Sequence, residues 1–61
     1  MPVVIINWLE GRTTEQKRKI SDVITNTIVN EGGTKPESVT IIFNDLSRTD
    51  VAKAGKLYSD Q

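Results

Sequence analysis

No cysteine and no histidine occur among the 61 residues of this chain. The first absence excludes disulfides and thiolate metal sites. The second removes the commonest metal ligand and the usual general base. Neither charge sign is in excess: 8 Lys and Arg balance 8 Asp and Glu. A net charge of zero leaves no electrostatic footprint for nucleic acid or an anionic membrane. Long apolar runs are missing too. The longest, Val3 to Ile6, is far short of the roughly 20 residues that a membrane span needs. No charged segment with a longer apolar core precedes it, so a protein without a signal peptide, resident in the cytoplasm, is expected. Phosphate loops, nucleophile elbows and metal-ligand clusters are also absent, and no cofactor is expected.

What is present is short and ordered. Val3-Val4-Ile5-Ile6-Asn7-Trp8-Leu9 is β-branched and aromatic and predicts a strand. Thr13-Thr14-Glu15-Gln16 fits a capping box, with Thr13 as N-cap and Gln16 reaching back. Behind it Ile20, Val23, Ile24 and Ile28, with Thr27 in the same stripe, predict one face of an amphipathic helix. Gly32-Gly33 ends that helix, since glycine adopts the left-handed cap without a Cβ clash, and Pro36 keeps it from resuming. Val39 to Phe43 reads as a second strand. The polar remainder, Asn44 to Gln61, holds a turn at Ala54-Gly55. Strand, helix and strand over this length make one β-α-β domain, residues 1–61, of the α+β class with parallel strands.

A chain this short buries only about 60% of its unfolded surface and is marginal alone. With disulfides and thiolate metal sites excluded, oligomerisation is the remaining route to stability. The first strand agrees, because Val3, Ile5 and Leu9 face one way and Val4, Ile6 and Trp8 the other. Both faces are apolar, and one helix covers only one of them. The face with Trp8 is the one expected to be covered by another subunit.

Two residues carry possible chemistry. Methionine before proline is commonly removed, which leaves Pro2 with a free secondary amine. A chain-terminal amine has a reference pKa of about 7.7–8.0, and apolar surroundings with a guanidinium nearby lower it. Such an amine can act as general base and return the proton. On spacing alone, Pro2 also suits the first position of a strand, where no ladder donor is needed. Arg12 stands just before a helix N-terminus, where a cation is unfavourable by about 0.3–1 kcal/mol unless an anion joins it. It suits a carboxylate ligand, though Glu10 or Glu15 could equally neutralise it as a surface pair.

Met1-Pro2, the apolar strand, Leu9-Glu10-Gly11-Arg12-Thr13 and Glu15-Gln16-Lys17 together resemble the 4-oxalocrotonate tautomerase family, along essentially the whole chain. The resemblance implies a β-α-β subunit with a C-terminal hairpin, its sheet completed by oligomerisation into a homohexamer, a trimer of dimers. It implies a cofactor-independent keto–enol isomerase in which Pro2 is the catalytic base. Arg12 from a neighbouring subunit would bind the carboxylate or polarise the carbonyl of a 2-hydroxydienoate or 2-oxoacid. Leu9 and Val51 would border the substrate. The sequence departs from the family at three positions: Thr40 where a second arginine is usual, Val51 for an aromatic, and Lys53 for an apolar residue. One arginine fewer removes charged hydrogen bonds of roughly 1.5–3 kcal/mol each and weighs against a dicarboxylate, unless Arg48 or Lys53 supplies the cation. Two other readings use the same scaffold. One is a hydrolytic dehalogenase or decarboxylase of small acids, with the Pro2 amine and Arg12 activating water and Asp45 as the carboxylate that keeps this open; the other is a non-catalytic binding module. Met1, while attached, is expected to reach the space beside Arg12.

Overall fold

A computed structural model describes residues 1–61. Strand β1 (Val3–Leu9) leads through Gly11 into helix α1 (Thr14–Gly32). A 3-10 turn at Pro36–Ser38 delivers the chain to β2 (Thr40–Leu46), and a second one at Arg48–Asp50 precedes β3 (Ala52–Lys53) and β4 (Lys56–Leu57). β1 and β2 are parallel, in a register that sets Val3 beside Thr40 and Leu9 beside Leu46. β3 and β4 form a separate antiparallel hairpin. The β-α-β unit with its C-terminal hairpin is thus as expected. The second strand starts one residue later and runs three residues further than the apolar pattern indicates. Asn44 and Asp45 stay in the ladder opposite Asn7 and Trp8, and the Asn44 amide donates to the Asn7 side-chain oxygen at 2.9 Å.

The ends of α1 follow their local chemistry. The Thr13 hydroxyl accepts from the Gln16 N–H at 3.1 Å, and the Gln16 side chain accepts from the Thr13 N–H at 2.8 Å. This closes the capping box. Gly33 takes the left-handed cap at φ 69°, its N–H donating to the Val29 carbonyl. The helix turns Lys17, Ile20, Ile24 and Ile28 inward, all half-buried. Val23, expected in this stripe, is instead 56% exposed. Thr27 is also exposed and donates to the Val23 carbonyl. Ser21, Thr25 and Val29 are half-buried as well, so the covered stripe is centred on Ile20-Ser21, Ile24-Thr25 and Ile28-Val29 and leaves Val23 and Thr27 at its edge.

The helix covers the face of β1 that carries Val4, Ile6 and Trp8, and with it Ile41, Phe43 and Asp45 of β2. The expected assignment of Trp8 to the uncovered face is therefore corrected. The polar side chains that decide the matter are Lys17 and Asp45, which join helix to sheet beside the indole. The bare face is that of Val3, Ile5 and Ile42, which are 52%, 57% and 42% exposed. No residue of the single protomer is fully buried. Its radius of gyration is 14.8 Å, against about 10.5 Å for a compact chain of this length. Such a slab lacks an interior of its own. Each Val or Ile fully covered by a partner adds about 1.5–3 kcal/mol.

The hairpin turn supplies a direct test of local strain. Ala54 and Gly55 both have positive φ, 55° and 79°, the pattern of a type I′ turn, which favours Asn-Gly. A Cβ in the left-handed region is disfavoured by about 1–2 kcal/mol, and asparagine tolerates it better than alanine does. Ala54→Asn is expected to stabilise the protein by about 1 kcal/mol. Urea unfolding at fixed protein concentration checks this; an unchanged midpoint would show the turn to be unstrained.

Candidate active site

Arg12 sits three residues past the end of β1, and two contacts orient it. Its Nη1 donates to the Leu9 carbonyl at 3.0 Å, and its Cζ lies 4.7 Å from the centroid of the Trp8 ring. A guanidinium over an indole face is attracted by the ring quadrupole, by about 0.5–1 kcal/mol at exposed sites. Trp8 is fixed in turn. Phe43 stacks against it with centroids 5.4 Å apart, and its Nε1 donates to Asp45 Oδ1 at 2.6 Å. The Lys17 ammonium donates to the other oxygen of the same carboxylate.

Neither Glu10 nor Glu15 neutralises Arg12. The chain holds two ion pairs, Lys17 with Asp45 and Arg18 with Glu15, and Arg12 belongs to neither. With one N–H of five engaged, its remaining donors are available. They border a groove of about 420 Å³ lined by Trp8, Arg12, Gln16, Lys19 and Ile20. Apolar walls with a few polar groups and an unpaired cation suit a small organic anion.

The other expected site residues are distributed unevenly. Leu9 contributes its carbonyl to Arg12, but its side chain is not among those that line the groove. Val51 lies on the segment after β2, where its carbonyl accepts from the Tyr58 N–H at 2.8 Å, and it too is away from the groove lining. Arg48 and Lys53 are exposed on that same segment. Pro2 is at the opposite end of β1, its carbonyl accepting from the Thr40 N–H at 3.0 Å. Seven strand steps of about 3.3 Å separate Pro2 from Leu9, roughly 23 Å. No single protomer can bring the Pro2 nitrogen to its own Arg12. Met1, expected beside Arg12, is 91% exposed at the far end of the same strand. Gln16, Lys19 and Trp8 were not foreseen as site residues. The spacing 12, 16, 19 and 20, which sets these positions on one side of the helix start, was the available signal.

The sequence profile of the family described as tautomerase enzyme matches residues 2–61. The chain belongs to the tautomerase family. It is 39% identical, over its whole length and 94% of the relative's, to a probable tautomerase of Ralstonia nicotianae. It is 35% identical to the 2-hydroxymuconate tautomerase of Bacillus subtilis, over 98% of this chain and 97% of that protein. A solved 4-oxalocrotonate tautomerase homologue superposes with a TM-score of 0.93 at 33% identity, covering 100% of this chain and 97% of the other. This tautomerase is accordingly an isomerase acting between keto and enol forms, which sets aside the non-catalytic module. No helix of it is long and apolar enough to cross a membrane.

Asp45 is held below the usual carboxylate range, first by the hydrogen bond from Lys17, then by that from Trp8, with the charges of Lys17 and Arg12 adding. A depressed folded-state pKa gives stability that is present above the unfolded value of about 3.9 and lost as pH falls through the folded one. The stability difference between the native tautomerase and Asp45→Asn should therefore be constant above about pH 5 and shrink below about pH 4. Urea titrations across that range check this; a difference independent of pH would show that the carboxylate charge plays no part.

Proposed function

We propose that this tautomerase moves a proton between the enol and keto forms of a small 2-hydroxydienoate or 2-oxoacid. The Pro2 amine, freed by removal of Met1, is the general base, and Arg12 of a neighbouring protomer binds the substrate's anionic end. The observation that carries this reading is the unpaired, doubly oriented Arg12 at the end of β1 remote from Pro2. A guanidinium fixed without a counter-ion is prepared for a carboxylate or an enolate oxygen. The β1–β2 ladder, seven residues long, supports a base supplied by another chain.

The proton steps balance without a cofactor. The amine nitrogen removes the enol O–H proton, and the O–H electron pair becomes the carbonyl π bond. The carbon–carbon π pair takes the proton back from the ammonium at carbon, regenerating the free amine. Arg12 lowers the barrier by meeting the negative charge that develops on oxygen or is delocalised toward the carboxylate. Leu9 and Val51 border the substrate once protomers assemble. The bare Val3, Ile5 and Ile42 face supports assembly into a homohexamer, a trimer of dimers. Thr40 favours a substrate with one carboxylate over one with two. The hydrolytic alternative leaned on Asp45, whose oxygens are occupied by Trp8 and Lys17 and whose depressed pKa makes it a weak base.

Ketonisation of phenylenolpyruvate, a monocarboxylate enol, tests the assignment. Pro2→Ala is expected to lower kcat by about 10²–10⁴-fold, the usual worth of a general base. Arg12→Ala is expected to lower kcat/KM by about 1.5–3 kcal/mol, roughly 10- to 150-fold. Full activity in either folded variant would remove that residue from the mechanism.

A further inference from the structure

Arg12 is free although a carboxylate stands near it. Asp45 projects from the same face of the sheet as Trp8, on which Arg12 lies, and Arg12's charge helps to keep it ionised. Yet no Arg12–Asp45 ion pair forms. The reason is visible in the Asp45 hydrogen bonds. Oδ1 accepts from the Trp8 indole and Oδ2 from the Lys17 ammonium, so both oxygens already hold a donor. The Lys17 charge also compensates the carboxylate, which leaves little attraction to draw the guanidinium off the indole face.

We infer that Trp8 and Lys17 are positioning residues that keep Arg12 available to substrate by occupying the one carboxylate that would otherwise capture it. Lys17 neutralises Asp45 from the helix. Trp8 blocks the second oxygen with its N–H and offers its ring face as the alternative seat for the guanidinium. Without Lys17, the Asp45 charge would be uncompensated and Oδ2 open, and this carboxylate would compete with the substrate's for the Arg12 donors. Lys17 thus acts on substrate binding without touching substrate. This assignment rests on the role given to Arg12 above, and the test separates the two.

Three variants suffice: Lys17→Met, Asp45→Asn and the two combined. Binding of cinnamate, a non-reacting aryl carboxylate, is measured by calorimetry, and KM and kcat are measured with phenylenolpyruvate. Lys17→Met is expected to weaken cinnamate binding and raise KM by about tenfold, the equivalent of one lost charged hydrogen bond, with kcat moving less. Adding Asp45→Asn should restore both to the level of Asp45→Asn alone, because the competitor is gone. A merely structural salt bridge gives no such rescue. If Lys17→Met fails to assemble, Trp8→Phe frees Oδ1 instead while keeping a ring under Arg12, and the same rescue by Asp45→Asn is expected. Unchanged cinnamate binding in Lys17→Met, or a double variant as weak as Lys17→Met, would overturn the inference. Cinnamate binding that follows the expected pattern in a protein with no enol turnover would uphold it and overturn the proposed reaction instead.

Discussion

The length and direction of β1 constrain everything else in this tautomerase. Seven residues of extended chain hold Pro2 at one end and Arg12 at the other. The ladder with β2 and the bond from Thr40 to the Pro2 carbonyl keep the strand straight through its first residue. The proposed base and the proposed anion-binding cation, at opposite ends of one strand, cannot meet within a chain. They can meet where a second strand lies against the first in the opposite sense, or wherever another protomer presents its N-terminus to the Arg12 end. On the proposed reading, catalysis and assembly are one requirement. The absence of any fully buried residue expresses the same requirement on the side of stability.

The second element is the treatment of charge around Arg12. A helix N-terminus repels a cation, and here the repulsion is offset by an aromatic face and a backbone carbonyl rather than by a carboxylate. That choice leaves the guanidinium without a counter-ion. Asp45, Lys17 and the indole N–H form a closed set next to it, each satisfying another. The capping box at Thr13 and Gln16 secures the turn between strand and helix, so the Arg12 backbone is held from both sides.

Much of this was legible in the sequence where local rules decide the outcome. Thr13 with Gln16 announced the helix start, Gly32-Gly33 its end, and Ala54-Gly55 a turn, because each depends on backbone chemistry within four residues; the hairpin around that turn came from the family resemblance. The Met-Pro start and Leu9-Glu10-Gly11-Arg12 pointed to the family. The side of the sheet that faces the helix was not legible: Val3, Ile5, Val4 and Ile6 are equally apolar, and the deciding contact is a pair 28 residues apart, Lys17 with Asp45. Val23 was misplaced for a related reason, since the covered stripe is rotated toward the less apolar Ser21 and Thr25, which apolar periodicity does not register. The polar Asn44-Asp45 end of β2 was read as loop because strand propensity does not register a side-chain amide pair such as Asn44 with Asn7.

The central claim, that base and guanidinium act from different chains, is tested most directly by mixing two impaired variants. Pro2→Ala and Arg12→Ala subunits are denatured separately, combined in equal amounts and refolded, and enol ketonisation is measured. A shared site predicts that the mixture regains a substantial fraction of native activity, because some interfaces pair an intact Pro2 with an intact Arg12. Activity no greater than the sum of the two variants refolded alone, in assemblies shown by native mass spectrometry to contain both subunits, would contradict the account.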